Sequence, residues 1–358
     1  MTDTLRTPTT SAEVARQAGV SRTTVSFVLN GVENRGISEA TRDRVLAVAR
    51  ELGYAPNAAA RQLAGGGSGT IGLVIPQASH LYTDVFLSQM VASVNDACHR
   101  EGLKLLIEST EGEGREPGGF IGLVQARRID GLLIVSPRRD VYDHLHRIAE
   151  AAIPLVVLGR APAGLEHIQA LPSNNTGAVG ELIGHLHRLG HRRIGHVAFA
   201  PAELLASHER IGNWREAMDS LGLPSDDAWL THADISAASG LAATRVLLAR
   251  QRELPAARRI TALFAGNDTI AFGALRALAE AGLRVPEDIA VVGYDDIPLA
   301  AYANPPLTTV RTHPIEQGQV AVAQLMSQLR KAPAEAATSE QTEPELVVRA
   351  SCGTLPGA

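Results

Sequence analysis

Short runs of apolar residues recur along most of the chain, separated by stretches with the periodicity of amphipathic helices. The runs are IGLVIP, LKLLIEST, DGLLIVS, IPLVVLG, RIGHVAF, TALFAG and IAVVGY. Strands that are apolar throughout are typical of parallel sheets covered by helices on both faces. The pattern therefore predicts a doubly wound α/β architecture. The runs are too numerous for one such sheet with ordinary connections, so we predict two lobes that meet near Ser173.

The start of the chain has a different pattern, that of short helices joined by a tight turn. Thr10 and Glu13 have the spacing of a capping box, and Gly19 follows the apolar stripe that comes after them. Ser21 can cap a second helix, which continues to the residues before Gly31. Two short helices with a glycine turn between them predict a helix-turn-helix.

The second of these helices is predicted to have one buried and one exposed face. Its apolar residues fall at positions i, i+3 and i+4 and must face inward; they are Val25, Val28 and Leu29. The residues left on the opposite face are Arg22, Thr23, Ser26 and Phe27. That face is the one a DNA major groove meets in a helix-turn-helix protein. The alternative interpretation is an ordinary helical hairpin with a solvated polar face.

The boundary between the two patterns is predicted from helix length and glycine content. A third helix begins at Ser38 and ends at Gly53, which completes a small helical core. NAAARQLA, from Asn57 to Ala64, has helical composition, but helices of about two turns are marginal in water without a partner. A glycine-rich segment follows and has no preferred conformation. We therefore expect a helical domain at 1–56, a linker at 57–69 and an α/β domain at 70–358.

Segments at both ends of the chain resemble the lactose-repressor (LacI/GalR) family of bacterial transcriptional regulators. They are AGVSRTTVSFVLNG, ISEATRDRV, LGYAPNAAARQLA, VVGYDDIPLA, PPLTTVR and LVVRAS. The resemblance covers nearly the whole chain, and it implies a two-lobed effector domain like that of periplasmic binding proteins. It also implies that the chain crosses between the lobes more than once. The first lobe would comprise about 70–172 and 312–336, and the second about 173–311 and 337–351.

The resemblance also implies where DNA is bound. The segment around Leu63 would be a hinge helix that pairs with its copy in a second subunit and inserts this leucine as a wedge between base pairs in the minor groove. The alternative is a connector whose leucine packs on a neighbouring element. The residues that we expect to contact DNA are Thr10, Ser21, Arg22, Thr23, Thr24, Ser26, Phe27, Asn30, Tyr54, Asn57, Ala60 and Leu63.

A small-molecule site is predicted from the residues that follow the apolar runs, because ligands of open α/β sheets bind beyond the carboxyl ends of the strands. The resemblance adds Arg210 as an arginine that grips the effector and Asp295 as an acidic partner for hydroxyls or ring nitrogens. An arginine and a carboxylate suit adjacent hydroxyls, although the two could instead form a structural salt bridge. Asp268 has a competing role as a helix cap. The residues expected to bind an effector are Tyr82, Ser136, Arg210, Asn267 and Asp295.

One position in this expected site departs from the family pattern. Ile235 stands where several family members place an aromatic ring against the ligand. Stacking on a flat ligand face is therefore less expected here than in those members.

Composition and charge exclude several other classes of protein. The net charge is −5, but residues 1–63 carry +2 and the remainder −7, which suits a DNA-binding module beside an acidic body. Cys98 and Cys352 give neither a disulfide framework nor a thiolate metal site. His185 and His187 are two apart on a predicted helix and diverge, so we expect no metal. No apolar run spans a bilayer and the polar start lacks a secretory pattern, so we expect a cytoplasmic protein.

An enzyme is not expected either. No dinucleotide-binding glycine motif follows the first strand, and neither a P-loop nor a nucleophile elbow occurs. The sequence therefore predicts a transcriptional regulator without a cofactor, a repressor that binds a pseudo-palindromic double-stranded operator as a homodimer. A small-molecule effector, expected to be a carbohydrate, would control it. The alternative is a solute-binding receptor of the periplasmic type, which the helical start and the missing signal disfavour.

Overall fold

A computed structural model describes residues 9–29, 35–54, 67–111, 119–161, 163–165, 168–171, 175–199, 204–331 and 343–353. The chain divides into two compact units, 1–68 and 69–358. None of the helices in these ranges is long and apolar enough to cross a membrane.

The first unit is a bundle of three short helices: α1 (Ser11–Ala18), α2 (Arg22–Leu29) and α3 (Glu39–Glu51). The capping box at its start is confirmed, because the Glu13 amide donates to Thr10 Oγ1 at 3.3 Å and the Thr10 amide donates to Glu13 Oε2 at 2.7 Å. Gly19 then ends α1 with φ of +65°. Ser21 caps α2 by accepting from the Thr24 amide at 3.0 Å. The buried core of the bundle consists of Val14, Ala15, Ala18, Val25, Val28, Val45, Val48 and Ala49.

The second unit begins with a five-stranded parallel sheet, the first lobe. In chain order its elements are β1 (Thr70–Gln77), α4 (His80–Thr83), α5 (Val85–Arg100), β2 (Lys104–Glu111), α6 (Phe120–Gln125), β3 (Gly131–Val135), α7 (Tyr142–Glu150), β4 (Leu155–Leu158) and β5 (Gln169–Leu171). The strand order is β2-β1-β3-β4-β5. Side chains of β1 alternate between two cores, since Ile71 and Leu73 pack with α5 while Val74 packs with α6 and α7. Helices therefore cover both faces of this sheet.

The second lobe contains a four-stranded parallel sheet in the order β7-β6-β8-β9. Its elements are α8 (Asn175–Arg188), β6 (Ile194–Ala198), α9 (Leu205–Ser220), β7 (Leu230–His232), α10 (Ala237–Glu253), β8 (Ala262–Ala265), α11 (Asp268–Glu280) and β9 (Ala290–Val292). Helices α10 and α11 cross closely at glycines: a Cβ on Gly240 would lie 2.6 Å from the Ile270 carbonyl oxygen. Trp214 and Trp229 are both buried in this core.

The last elements connect the two lobes. An antiparallel pair, β10 (Thr309–Arg311) with β11 (Glu345–Val347), lies on α8 in the second lobe. Between these strands α12 (Pro314–Arg330) packs on α5, β3 and β4 of the first lobe. Gln328 anchors it there by accepting from the Leu155 amide and donating to the Leu155 carbonyl, both at 3.0 Å.

The predicted architecture, a helical unit followed by two parallel α/β sheets, is confirmed. All of the apolar runs form strands. Three further strands, β5, β7 and β10, were not predicted. Each has only three residues, at least one of them polar, so none lies in a continuous apolar run as the equally short β9 does.

Candidate functional site

A cavity lies between the two lobes, where the carboxyl ends of both parallel sheets meet. The first lobe contributes residues at the ends of β1, β3 and β4, and the second contributes residues that follow β6, β8 and β9. The cavity has a volume of about 100 Å³, several times what one water molecule needs. The lobes also touch beside it, because the Leu205 amide donates to the Pro137 carbonyl at 3.4 Å.

Arg210 is the most constrained charged group in the cavity. It lies on α9 with only 8% of its surface exposed, and Nη1 donates to the Gly266 carbonyl at 2.6 Å. Its guanidinium lies 3.8 Å from the centroid of the Tyr294 ring and 4.3 Å from that of Phe199, both of which favour a cation at this distance. Nε has no hydrogen-bond partner among the described residues. A buried donor without a partner is costly, so this arrangement suits a ligand that accepts from it.

Asp295 follows β9 in a conformation that non-glycine residues rarely adopt, with φ of +108°. The backbone is held there because the Asp295 amide donates to the Val310 carbonyl at 2.7 Å. Burial raises the pKa of Asp295 well above its ordinary value, and the positive charge of Arg210 opposes that rise only in part. Strained backbone and a shifted pKa at a cavity wall are both typical of functional sites.

Asp84 is a third charged residue of the cavity, and sequence reasoning missed it. It caps α5 by accepting from the Leu87 amide at 3.3 Å and lines the cavity from the first lobe. Burial raises its pKa from 3.8 to about 6, although its backbone hydrogen bonds and Arg210 favour the charged form. An aspartate one residue before an amphipathic helix was visible in the sequence, but its capping role accounts for it completely.

The salt bridge that was considered as an alternative role for Arg210 is not formed. Among the ion pairs of the described residues, none joins Arg210 to Asp295. The guanidinium is held instead by a backbone carbonyl and two rings, so the Asp295 carboxylate stays available within the cavity.

The other predicted cavity residues have different outcomes. Ser136 and Asn267 line the cavity, and Asn267 also caps α11 by accepting from the Ile270 amide at 2.7 Å. Tyr82 does not: its side chain is 81% exposed, on the short helix α4. That helical turn was not predicted, and because of it Phe86, rather than Tyr82, lines the cavity. The suggestion that Asp268 caps α11 is also wrong, since Asn267 does so.

Of the predicted DNA-contacting residues, eight lie in the described ranges, and five of these are on α2. Arg22, Thr23 and Ser26 are exposed, and Ser21 and Thr10 lie exposed at the starts of α2 and α1. Thr24 and Phe27 are half-buried, and the Arg35 guanidinium lies 5.2 Å from the centroid of the Phe27 ring. Tyr54 packs against the helical core. The remaining members of the set, which lie outside the described residues, are Asn30, Asn57, Ala60 and Leu63.

The histidine-rich segment has structural contacts. His185 Nε2 lies 3.4 Å from Cys352 Sγ, and His191 Nδ1 lies 3.0 Å from Thr261 Oγ1. In the part of the chain that the structure describes, no three histidine, cysteine or acidic side chains converge as metal ligands would. These two histidines contact side chains of the second lobe.

Comparisons with known proteins agree with both halves of this description. Residues 10–57 match the family described as bacterial regulatory proteins, lacI family, and residues 183–352 match a periplasmic binding protein-like domain. The HTH-type transcriptional regulator CelR of Thermobifida fusca is 36% identical over 339 residues, which cover 94% of each chain. The chain belongs to the LacI family. It is thus a transcriptional regulator and not an enzyme, and it acts in the bacterial cytoplasm, where the DNA is.

Further LacI-family relatives and structures extend the match over the whole chain. The HTH-type transcriptional repressor PurR of Vibrio parahaemolyticus is 32% identical, covering 95% of this chain and 97% of that one. The lac repressor dimer bound to operator and the anti-inducer ONPF has a TM-score of 0.82 at 29% identity, covering 97% and 99%. The transcriptional regulator CelR–cellobiose complex has a TM-score of 0.68 at 32% identity, covering 96% and 99%.

Proposed function

We propose that this LacI-family regulator represses transcription by binding a pseudo-palindromic operator as a homodimer, and that a sugar or sugar derivative in the interlobe cavity controls this binding. The observation that carries the effector half is the buried Arg210, whose Nε lacks a partner in a cavity that also holds Asp295. Donor and acceptor groups fixed at one cavity wall are what adjacent hydroxyls require.

A hydroxyl-rich effector is favoured over a flat heterocyclic base. The rings of Phe199 and Tyr294 both contact the Arg210 guanidinium, so neither offers that face for stacking. Ile235, rather than an aromatic residue, lines the wall near Asn267. The relative CelR has been solved with cellobiose, which supports a carbohydrate by analogy.

The DNA half of the proposal rests on α2. Its exposed side is rich in small polar groups and one arginine, which suits contacts to base edges and phosphates in a major groove. The lac repressor, similar over 97% of this chain, is a dimer on its operator, and a two-fold dimer reads two half-sites related by the same symmetry. We propose that Asn57, Ala60 and Leu63 belong to a hinge helix that contacts the minor groove between the two half-sites.

The effector half is tested by measuring operator affinity with and without ligand. A thermal-shift screen of the full chain against neutral sugars, nucleosides and phosphorylated sugars identifies a ligand, since ligand binding raises the stability of the folded state. In Arg210→Ala and Asp295→Ala, operator affinity should be unchanged without ligand, and the response to ligand should be lost. The coupling in the unmodified protein should be about 1–3 kcal/mol and reciprocal.

Arg215→Ala is the matched control, because Arg215 lies on the same helix but pairs with Asp227 at 2.8 Å, away from the cavity. It should respond to the ligand normally. Normal responses in Arg210→Ala and Asp295→Ala as well would place the effector elsewhere. A ligand that binds without changing operator affinity would contradict the regulatory role.

A further inference from the structure

Among the side chains that line the cavity, the negatively charged ones outnumber the positively charged ones. The carboxylates are Asp84, Glu209 and Asp295, and the guanidinium groups are Arg160 and Arg210. Arg160 Nη1 lies 3.8 Å from Glu209 Oε1, so these two groups largely neutralise each other. The Arg160 side chain is 73% exposed, which places the pair at the mouth of the cavity. The inner part therefore holds two carboxylates and one guanidinium.

The two inner carboxylates come from opposite lobes. Asp84 precedes α5 in the first lobe and Asp295 follows β9 in the second. The single inner cation, Arg210, is already bonded to the Gly266 carbonyl and packed on two rings. The charge of Asp84 raises the pKa of Asp295, and so does Asp268 behind the wall. Without a ligand, either one of the two carboxyl groups keeps a proton or two half-buried carboxylates share one guanidinium, and both states cost free energy.

We infer that the effector carries a positively charged group, the ammonium of an amino sugar or amino polyol, which lies between Asp84 and Asp295. This inference rests on the function proposed above and specifies its ligand class. An ammonium has three donors, which the oxygens of the two carboxylates can accept. The Thr312 hydroxyl lines the same cavity and donates to Asp295. The hydroxyls of the ligand are left for Ser136 and Asn267.

The same charge balance excludes an anionic effector. A phosphate ester would add negative charge to a site whose one inner guanidinium already faces two carboxylates. A neutral sugar could enter only with the retained proton. The ammonium also contacts one carboxylate from each lobe, so its binding favours the arrangement in which the lobes approach each other.

A set of disaccharides with one backbone tests the inference directly. Cellobiose is neutral, the β-1,4-linked glucosamine disaccharide is cationic, and its N,N′-diacetyl form restores neutrality at the same position. Glucosamine and galactosamine are compared with glucose, galactose and glucose 6-phosphate in the same way. Calorimetric titration of the full chain at pH 7 should show at least tenfold tighter binding of an amino sugar than of its neutral parent, and no binding of the phosphate ester.

Asp84→Asn leaves an oxygen to cap α5 and removes one inner negative charge. The preference for the amino sugar should disappear in this variant, whereas Asp227→Asn, at an exposed ion pair of the second lobe, should retain it. In the unmodified protein, affinity for the amino sugar should fall roughly tenfold from pH 7 to pH 5 as Asp84, whose pKa is about 6, takes up a proton. Affinity for a neutral sugar should not fall. The other charged groups that line this cavity are Asp295, Glu209, Arg160 and Arg210, and Asp268 acts on Asp295 from behind the wall.

The outcomes separate this inference from the proposed function. If a neutral or phosphorylated sugar binds as tightly as any amino sugar of the set, or if Asp84→Asn keeps the preference for the cation, the inference is wrong. A neutral sugar that changes operator affinity would leave the proposed regulation intact while overturning the cationic effector. Absence of binding by every sugar would overturn both.

Discussion

Asp268, the first residue of α11, is a fully buried carboxyl group outside the cavity. Its Oδ1 accepts from Thr309 Oγ1 at 2.6 Å and its Oδ2 from the Ile297 amide at 2.8 Å. Burial nevertheless raises its pKa from 3.8 to about 7, and the charge of Asp296 adds to the rise. The hydrogen bonds and Arg349 favour the charged form but do not overcome the loss of water.

This shift predicts how the stability of the second lobe depends on pH. Between about pH 4 and pH 7 the folded state keeps a proton that the unfolded chain, with an aspartate pKa of about 3.9, has released. Stability from this group is therefore greatest at low pH and is lost as pH rises through 7. At pH 5, two units below the folded pKa, the contribution is about 3 kcal/mol, and it is nearly absent at pH 8.

Asp268→Asn should remove this dependence. The asparagine oxygen can accept from the Ile297 amide, and its NH₂ group can donate to the Thr309 hydroxyl, which rotates to accept. The variant thus resembles the protonated aspartic acid at every pH. Relative to the variant, the unmodified protein should lose about 3 kcal/mol of unfolding free energy between pH 5 and pH 8.

Urea unfolding followed by tryptophan fluorescence measures this difference. The chain has two tryptophans, Trp214 and Trp229, and both are buried in the second lobe that contains Asp268. Asp84 also has a raised pKa, but it titrates in both proteins and cancels in the comparison. The charge of Asp268 raises the pKa of Asp295, so the comparison is repeated in an Asp295→Asn background to isolate Asp268. If the unfolding free energies of the unmodified protein and of Asp268→Asn changed with pH by the same amount, the reasoning would be refuted.

Three further predictions concern DNA reading and packing. Phe27 can contact only thymine methyl groups or sugar edges, so sites selected from random DNA should prefer A·T there; a guanine preference lost in Phe27→Ala would contradict this. Leu63→Ala should lose about 1–3 kcal/mol of operator affinity in binding titrations with little loss on random DNA, and equal losses would exclude a wedge. Gly240→Ala should lower unfolding free energy by about 1–3 kcal/mol, because its Cβ would press on the Ile270 carbonyl; an unchanged melting temperature would argue against close packing.

The sequence was sufficient for those parts of the fold that depend on local pattern. Long apolar runs became strands because both of their faces are buried, and the Thr10–Glu13 capping box formed as its spacing requires. The short strands β5, β7 and β10 could not be predicted, since pairing with a neighbour rather than an apolar pattern of their own makes them strands. The return of α12 to the first lobe depends on contacts such as that of Gln328 with Leu155, which no local pattern contains.

The cavity residues also divide into those that a local sequence pattern predicts and those that depend on contacts distant in sequence. Ser136, Asn267 and Asp295 were predicted because a strand end determines where a side chain lies in an α/β fold. Asp84 was missed because its position before α5 is explained by helix capping alone, and the sequence does not show that it also lines the cavity. Tyr82 was misplaced because one additional helical turn shifted the lining position to Phe86.

The position of α12 has a consequence for synthesis of the protein. Leu325 of this helix is buried in the core of the first lobe, and the Ser93 hydroxyl donates to the Ile315 carbonyl at 2.5 Å. The first lobe therefore lacks part of its core until nearly all of the chain has left the ribosome. The sheet of this lobe begins at Thr70, and the face that α12 covers stays exposed while the whole second lobe is synthesised. During synthesis, the apolar surface of the first lobe is therefore exposed for longer than that of the second lobe, and we expect a chaperone that binds apolar surface to act there.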